Sequence, residues 1–151
     1  MKSCFFIGHR EADERLIPMI AETVERLIVE EDVSYFYAGA YGGFDRLASA
    51  VVKEAKKKYP EITLMLMTPY HPAGRTIELT KGFDGIYYPE EVENIPKRYA
   101  IVRANRAMVD ASDWLVAYVN HGASNACKLL EYARRRQEKG LIRIENLAEK
   151  N

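Results

Sequence analysis

Three stretches combine small residues with groups that could hold an anion. Gly39-Ala40-Tyr41-Gly42-Gly43-Phe44-Asp45 separates an apolar run from an amphipathic one. Glycines there would let the backbone approach a phosphate closely, and the first N–H groups of a following helix would face it with partial positive charge. This is not a Walker loop, because no Gly-Lys-Ser/Thr follows. It also lacks the G-x-G-x-x-G spacing behind a first strand. Asp45 suits a helix N-cap. Gly8-His9-Arg10 sets an imidazole and a guanidinium just past the first apolar run. Arg10 could clamp a phosphate or carboxylate; His9 could join it, although taken alone it reads as a histidine satisfied by backbone. Asn120-His121-Gly122-Ala123-Ser124-Asn125 precedes another amphipathic run. Ser124 and Asn125 could cap that helix or offer a hydroxyl and an amide to a ligand, with Gly122 keeping the approach open. Arg103 and Arg106 are three apart, so they share a helical face. They could meet a phosphate or ribose phosphate, the ordinary alternative being a solvated charged face.

These residues need elements to position them. Cys4–Ile7, Tyr35–Ala38, Thr63–Met67, Gly85–Tyr88, Trp114–Val119 and Leu141–Ile144 read as short buried strands. Between them, Glu14–Val29, Asp45–Lys58, Lys97–Ala111 and Ala126–Lys139 have apolar residues at helical spacing. Tyr70–Lys81 is polar, holds Pro72 and Gly74, and reads as a loop with room for a short helix. The alternation of strand and helix predicts an α/β fold: a Rossmann-like three-layer α/β/α sandwich with a mostly parallel sheet. Ligands of such sheets sit at the carboxyl ends of the strands, where strand order reverses. The loops that matter are then Gly8–Arg10, Gly39–Asp45, Thr68–Gly74 and Asn120–Asn125.

At 151 residues the chain suits one domain over its whole length. Its 48% hydrophobic and 29% charged content is ordinary for a globular protein. Lys plus Arg equals Asp plus Glu at 22 each, which argues against strong nonspecific nucleic-acid binding. Cys4 and Cys127 form no metal pattern, and Cys4 reads as a small core residue. Zinc and calcium spacings and a nucleophile elbow are all missing. Met65, Met67 and the tyrosines read as packing. No apolar run approaches the roughly 18–20 residues of a membrane span, and the N-terminal run is too short for a signal peptide, so the cytoplasm is the expected compartment.

Three stretches together resemble the YpsA-like family of small bacterial proteins, within the SLOG superfamily of Rossmann-like domains. They are Cys4-Phe5-Phe6-Ile7-Gly8-His9-Arg10, Tyr37-Ala38-Gly39-Ala40-Tyr41-Gly42-Gly43-Phe44-Asp45 and the helical segment from Ala104 to Asp113. The resemblance implies a nucleotide or nucleotide-derived ligand on the first, second and last glycine loops. The superfamily includes LOG phosphoribohydrolases, which carry a Pro-Gly-Gly-x-Gly-Thr loop followed by an acidic residue. Here Ala126, Cys127 and Lys128 follow the last loop, and Glu131 stands one turn further on.

The expected function is therefore binding of a nucleotide-type phosphorylated small molecule by a sensor or regulatory protein. No metal, resident cofactor or catalytic residue is assigned. The alternative is a nucleotide N-glycosidase in which Asp45 replaces the missing carboxylate. Nucleic acid is not expected as a partner, nor is a membrane. Self-association stays open, with Tyr87, Tyr88 and Tyr99 as candidate contact residues.

Overall fold

The computed structural model describes residues 2–40, 42–70, 81–122 and 124–149. Strands β1 (Lys2–Gly8), β2 (Val33–Ala38), β3 (Thr63–Met67), β4 (Gly85–Tyr87), β5 (Trp114–Tyr118) and β6 (Arg143–Asn146) form one sheet. Its order is β4-β3-β2-β1-β5-β6, and every pairing is parallel. From β1 the chain steps outward through β2, β3 and β4. It then returns to the other side of β1 as β5 and β6. Strand order therefore reverses between β1 and β5, which are paired from Cys4 with Trp114 to Gly8 with Tyr118.

Four helices of eight or more residues cover the sheet among the described residues: α1 (Ile17–Glu30), α2 (Gly43–Lys58), α3 (Lys97–Ala111) and α4 (Asn125–Glu138). Side chains alternate across a strand, and the two cores follow that alternation. Cys4, Phe6, Phe36, Leu64 and Val116 pack with Ile20, Leu27, Leu47 and Val52 of α1 and α2. Phe5, Ile7, Leu115 and Ala117 pack with Ala104, Met108, Leu130 and Ala133 of α3 and α4. Covered on both faces, β1 and β5 read as continuous apolar runs. This is the expected three-layer sandwich.

Several boundaries differ from the sequence expectation. Glu14–Leu16 forms a 3-10 turn behind an Asp13 cap, and Pro18 lies in the first turn of α1. The last strand is two residues further along than Leu141–Ile144. Gly140 takes φ +75° and ends α4, so Leu141 and Ile142 serve as connector before pairing begins at Arg143. Asp45 does not cap α2. Gly42 holds that position without a side-chain bond, and Asp45 is the third residue of the helix. Tyr99 is exposed, whereas Tyr87 and Tyr88 pack against the α3–α4 core. Of the expected Tyr70–Lys81 loop, residues 71–80 lie outside the described residues, as do Tyr41 and Ala123 of the glycine loops.

Candidate functional site at the switch point

The ends of β1 and β5 are clasped together. The His9 N–H donates to the Tyr118 carbonyl at 3.3 Å. In return the Asn120 N–H donates to His9 Nε2 at 2.9 Å. On the next strand, Asn146 receives the Val119 N–H at 3.1 Å and donates to the Val119 carbonyl at 3.0 Å. Side chains thus continue the sheet ladder one step past β5 and hold the start of the last loop in place.

An aromatic column rises through this point. Phe44 is fully buried and stacks on Tyr118, with ring centroids 6.0 Å apart. Tyr118 meets His9 edge-on at 5.8 Å. His9 lies flat against His121, 3.7 Å between centroids and 8° between planes. His9 is only 6% exposed, whereas His121 is exposed. Burial holds the His9 pKa below the ordinary histidine range, the neighbouring His121 lowers it further, and the Asn120 side chain opposes them. A neutral His9 fits the Asn120 N–H, which needs an unprotonated Nε2.

That environment makes stability depend on pH. The unfolded chain protonates His9 more readily than the folded one, so its contribution is present above the ordinary histidine pKa of about 6.5 and is lost as pH falls through the lowered folded value. The unfolding free energy of the parent, measured by urea titration, should drop between pH 7 and pH 5, by at most about 1.4 kcal/mol per pH unit from this residue. In His9→Gln that part of the slope should vanish. An unchanged slope would assign the acid sensitivity to other groups.

Above the clasp opens a cavity of about 740 Å³, lined from the first, second and last loops and from α3 and α4. Of the residues singled out in the sequence, Gly8, His9, Arg10, Gly39, Gly42, Asp45, Ser124 and Asn125 line it. Gly43, Gly122, Arg103 and Arg106 are outside the lining. Gly122 has open space where a Cβ would be. Arg103 and Arg106 are exposed on the outer side of α3, and the Arg106 guanidinium lies 5.2 Å over the Tyr132 ring. Glu131 is exposed and also outside the lining. The sequence reading missed His121, Asn105 and Ile101 as lining residues. Asn105 and Ile101 are four apart on α3, one helical turn, so that periodicity was available to place them together.

The two helix N-termini at the cavity are used differently. In α2 the Gly43 N–H donates to the Arg10 carbonyl at 2.6 Å and the Phe44 N–H to the His9 carbonyl at 3.3 Å. Those donors are turned onto the protein's own first loop. A Cβ at Gly43 would stand 2.7 Å from the Arg10 carbonyl oxygen, so the glycine is needed for this packing with or without a ligand. In α4, Ser124 caps the Cys127 N–H at 3.2 Å and its carbonyl takes the Lys128 N–H. The Asn125 and Ala126 N–H groups have no protein partner among the described residues, and both residues line the cavity. The helix end that presents open N–H groups to the cavity is that of α4.

Among the described residues no cluster of metal-ligating side chains occurs. Cys4 is fully buried, which pushes its thiol pKa far up and leaves it inert. No helix of the described residues is long and apolar enough to cross a membrane.

Fold and site together define a Rossmann-like α/β/α domain with an open cavity at the topological switch point of its sheet. Among solved structures, DNA processing protein A (DprA) from Streptococcus pneumoniae has the same fold. The two superpose with a TM-score of 0.57 at 13% sequence identity, over 98% of this chain and 61% of the other. The chain therefore spans about 61% of that protein's length. At this identity the likeness is one of fold. No protein-family model matches the chain, and no curated protein matches it by sequence.

Proposed function

We propose that the protein binds a nucleotide-type phosphorylated small molecule in the switch-point cavity, as a sensor or regulatory domain. The observation that carries this reading is the convergence of cationic, polar and aromatic groups on one cavity of ligand size. Arg10, the two open N–H groups of α4, Ser124, Asn105 and His121 meet in about 740 Å³. The resemblance of Cys4–Arg10, Tyr37–Asp45 and the Ala104–Asp113 segment to YpsA-like proteins supports the same ligand class. Calorimetry with AMP, GMP, CMP and UMP, together with native mass spectrometry of protein purified from cells, tests it. Saturable binding of at least one nucleotide is expected. No heat with any of the four and no retained ligand would overturn the reading.

Two other readings each rest on one observation. Asp45 lines the cavity, so a nucleotide N-glycosidase would have a carboxylate to draw on. Release of free base that disappears in Asp45→Asn would establish it. A nucleic-acid partner is favoured by exposed Arg98, Arg103, Arg106, Lys128 and Arg135 on α3 and α4, which have no carboxylate partner among the described residues. The solved neighbour's name likewise refers to DNA processing. An even overall charge therefore does not exclude nucleic acid. Salt-sensitive binding of a single-stranded oligonucleotide, lost when these arginines are replaced, would establish that partner.

A further inference from the structure

We infer that His121 is the stacking platform for a planar aromatic base, so that the cavity selects base-bearing phosphates over plain sugar phosphates. This deepens the nucleotide reading and rests on it.

His9 and His121 form a parallel two-ring stack at van der Waals separation. The inner ring is fixed on several sides: its Nε2 by the Asn120 N–H, its edge by Tyr118 and its own backbone N–H by the Tyr118 carbonyl. It is also almost wholly buried. The outer ring is exposed and lines the cavity. One face of His121 is covered by His9, so its exposure falls on the opposite face and the ring edges. An exposed ring lying parallel on a buried one is a pre-ordered surface, and a third ring can extend the stack with little further loss of side-chain freedom. Purines and pyrimidines suit that surface because every base presents a π-face. A sugar phosphate offers none. His9 therefore acts through His121 as a positioning residue.

The cavity's remaining lining agrees with this division. Met67, Ile101 and Leu129 add apolar wall, while Arg10 and the Asn125 and Ala126 N–H groups supply the polar end. A ligand with an aromatic ring at one end and an anion at the other uses both.

The test compares AMP with ribose 5-phosphate by calorimetry on the parent, His121→Ala and His121→Phe. The parent should bind AMP at least about tenfold more tightly than ribose 5-phosphate. In His121→Ala that preference should collapse to about onefold, through weaker AMP binding with ribose 5-phosphate unchanged. His121→Phe should keep most of the preference, since a flat ring is restored. His121 is exposed, and urea midpoints of both variants should match the parent, which separates lost stacking from lost folding. An equal loss for both ligands in His121→Ala, or a preference that survives it, would overturn the stacking role while leaving nucleotide binding intact. If the parent binds none of AMP, GMP, CMP and UMP and retains no nucleotide from cells, the nucleotide reading itself falls, and the stacking platform with it; if it binds one of the other three and not AMP, that nucleotide takes the place of AMP in the comparison.

Discussion

Phe44→Ala is expected to destabilise the protein by about 3–5 kcal/mol, the usual cost of removing a buried phenylalanine. The ring is fully buried at the second residue of α2, in the core under β1 and β5. It also fixes what precedes it in space. A Cβ at Gly8 would lie 2.4 Å from the Phe44 ring, so Gly8 is the residue that lets α2 dock on the end of β1. Gly8→Ala should therefore cost about 1–3 kcal/mol through overpacking. In the Phe44→Ala background the same change should cost little, because the space has been vacated. Urea unfolding of the parent, both single variants and the double variant measures this coupling. Equal costs of Gly8→Ala in both backgrounds would show that the close approach does not set the junction. Because His9 follows Gly8 directly, the coupled pair should also disturb the clasp with Asn120, and with it the cavity.

The layers were legible because β1 and β5 advertise themselves. Cys4–Ile7 and Trp114–Val119 are short, charge-free runs, and only strands covered on both faces tolerate that. The four helices were legible from their spacing, and Lys97–Ala111 and Thr63–Met67 match the structure residue for residue. The β-loop-α alternation singled out the loops at the carboxyl ends of the strands, since parallel units leave few topologies, but not that the reversal falls between β1 and β5. What the sequence concealed depends on contacts between distant residues. Helix propensity could not reveal that the first N–H groups of α2 bond to His9 and Arg10, some 33–35 positions earlier. This contact, rather than a capping side chain, explains why α2 starts at Gly43 and not at Asp45. The His9–His121 stack joins residues 112 positions apart and leaves no local pattern. Arg103 and Arg106 share a face as their spacing required, but spacing alone does not say which way the face looks. Ala100, Ala104, Ala107 and Met108 define the buried side of α3, so the arginines look outward while Asn105 and Ile101 reach the cavity.

That orientation leads to the second large effect, on ligand affinity. Arg10→Ala should weaken AMP binding by about one to two decades, the range of a charge-assisted contact worth about 1.5–3 kcal/mol. Arg10 is exposed and lines the cavity, and its guanidinium has no carboxylate partner among the described residues. Solvent screening at an exposed site places the effect nearer the lower end of that range. Raising the salt from about 50 to 500 mM should then weaken the parent's binding more than the variant's, since the variant lacks the screened contact. Stability should change little, because the first loop is held to α2 by the Arg10 carbonyl, which alanine retains. Arg103→Ala and Arg106→Ala serve as comparisons. Both guanidinium groups lie outside the cavity lining, so affinity for AMP should stay within about twofold of the parent, given the small effects typical of exposed charges. If Arg106→Ala weakens AMP binding and Arg10→Ala does not, the small molecule binds on the outer α3 face and the cavity is not its site. Calorimetry on the three variants at one salt concentration decides between these placements. The same variants titrated with a single-stranded oligonucleotide would show whether the outer arginines serve a second, polyanionic partner.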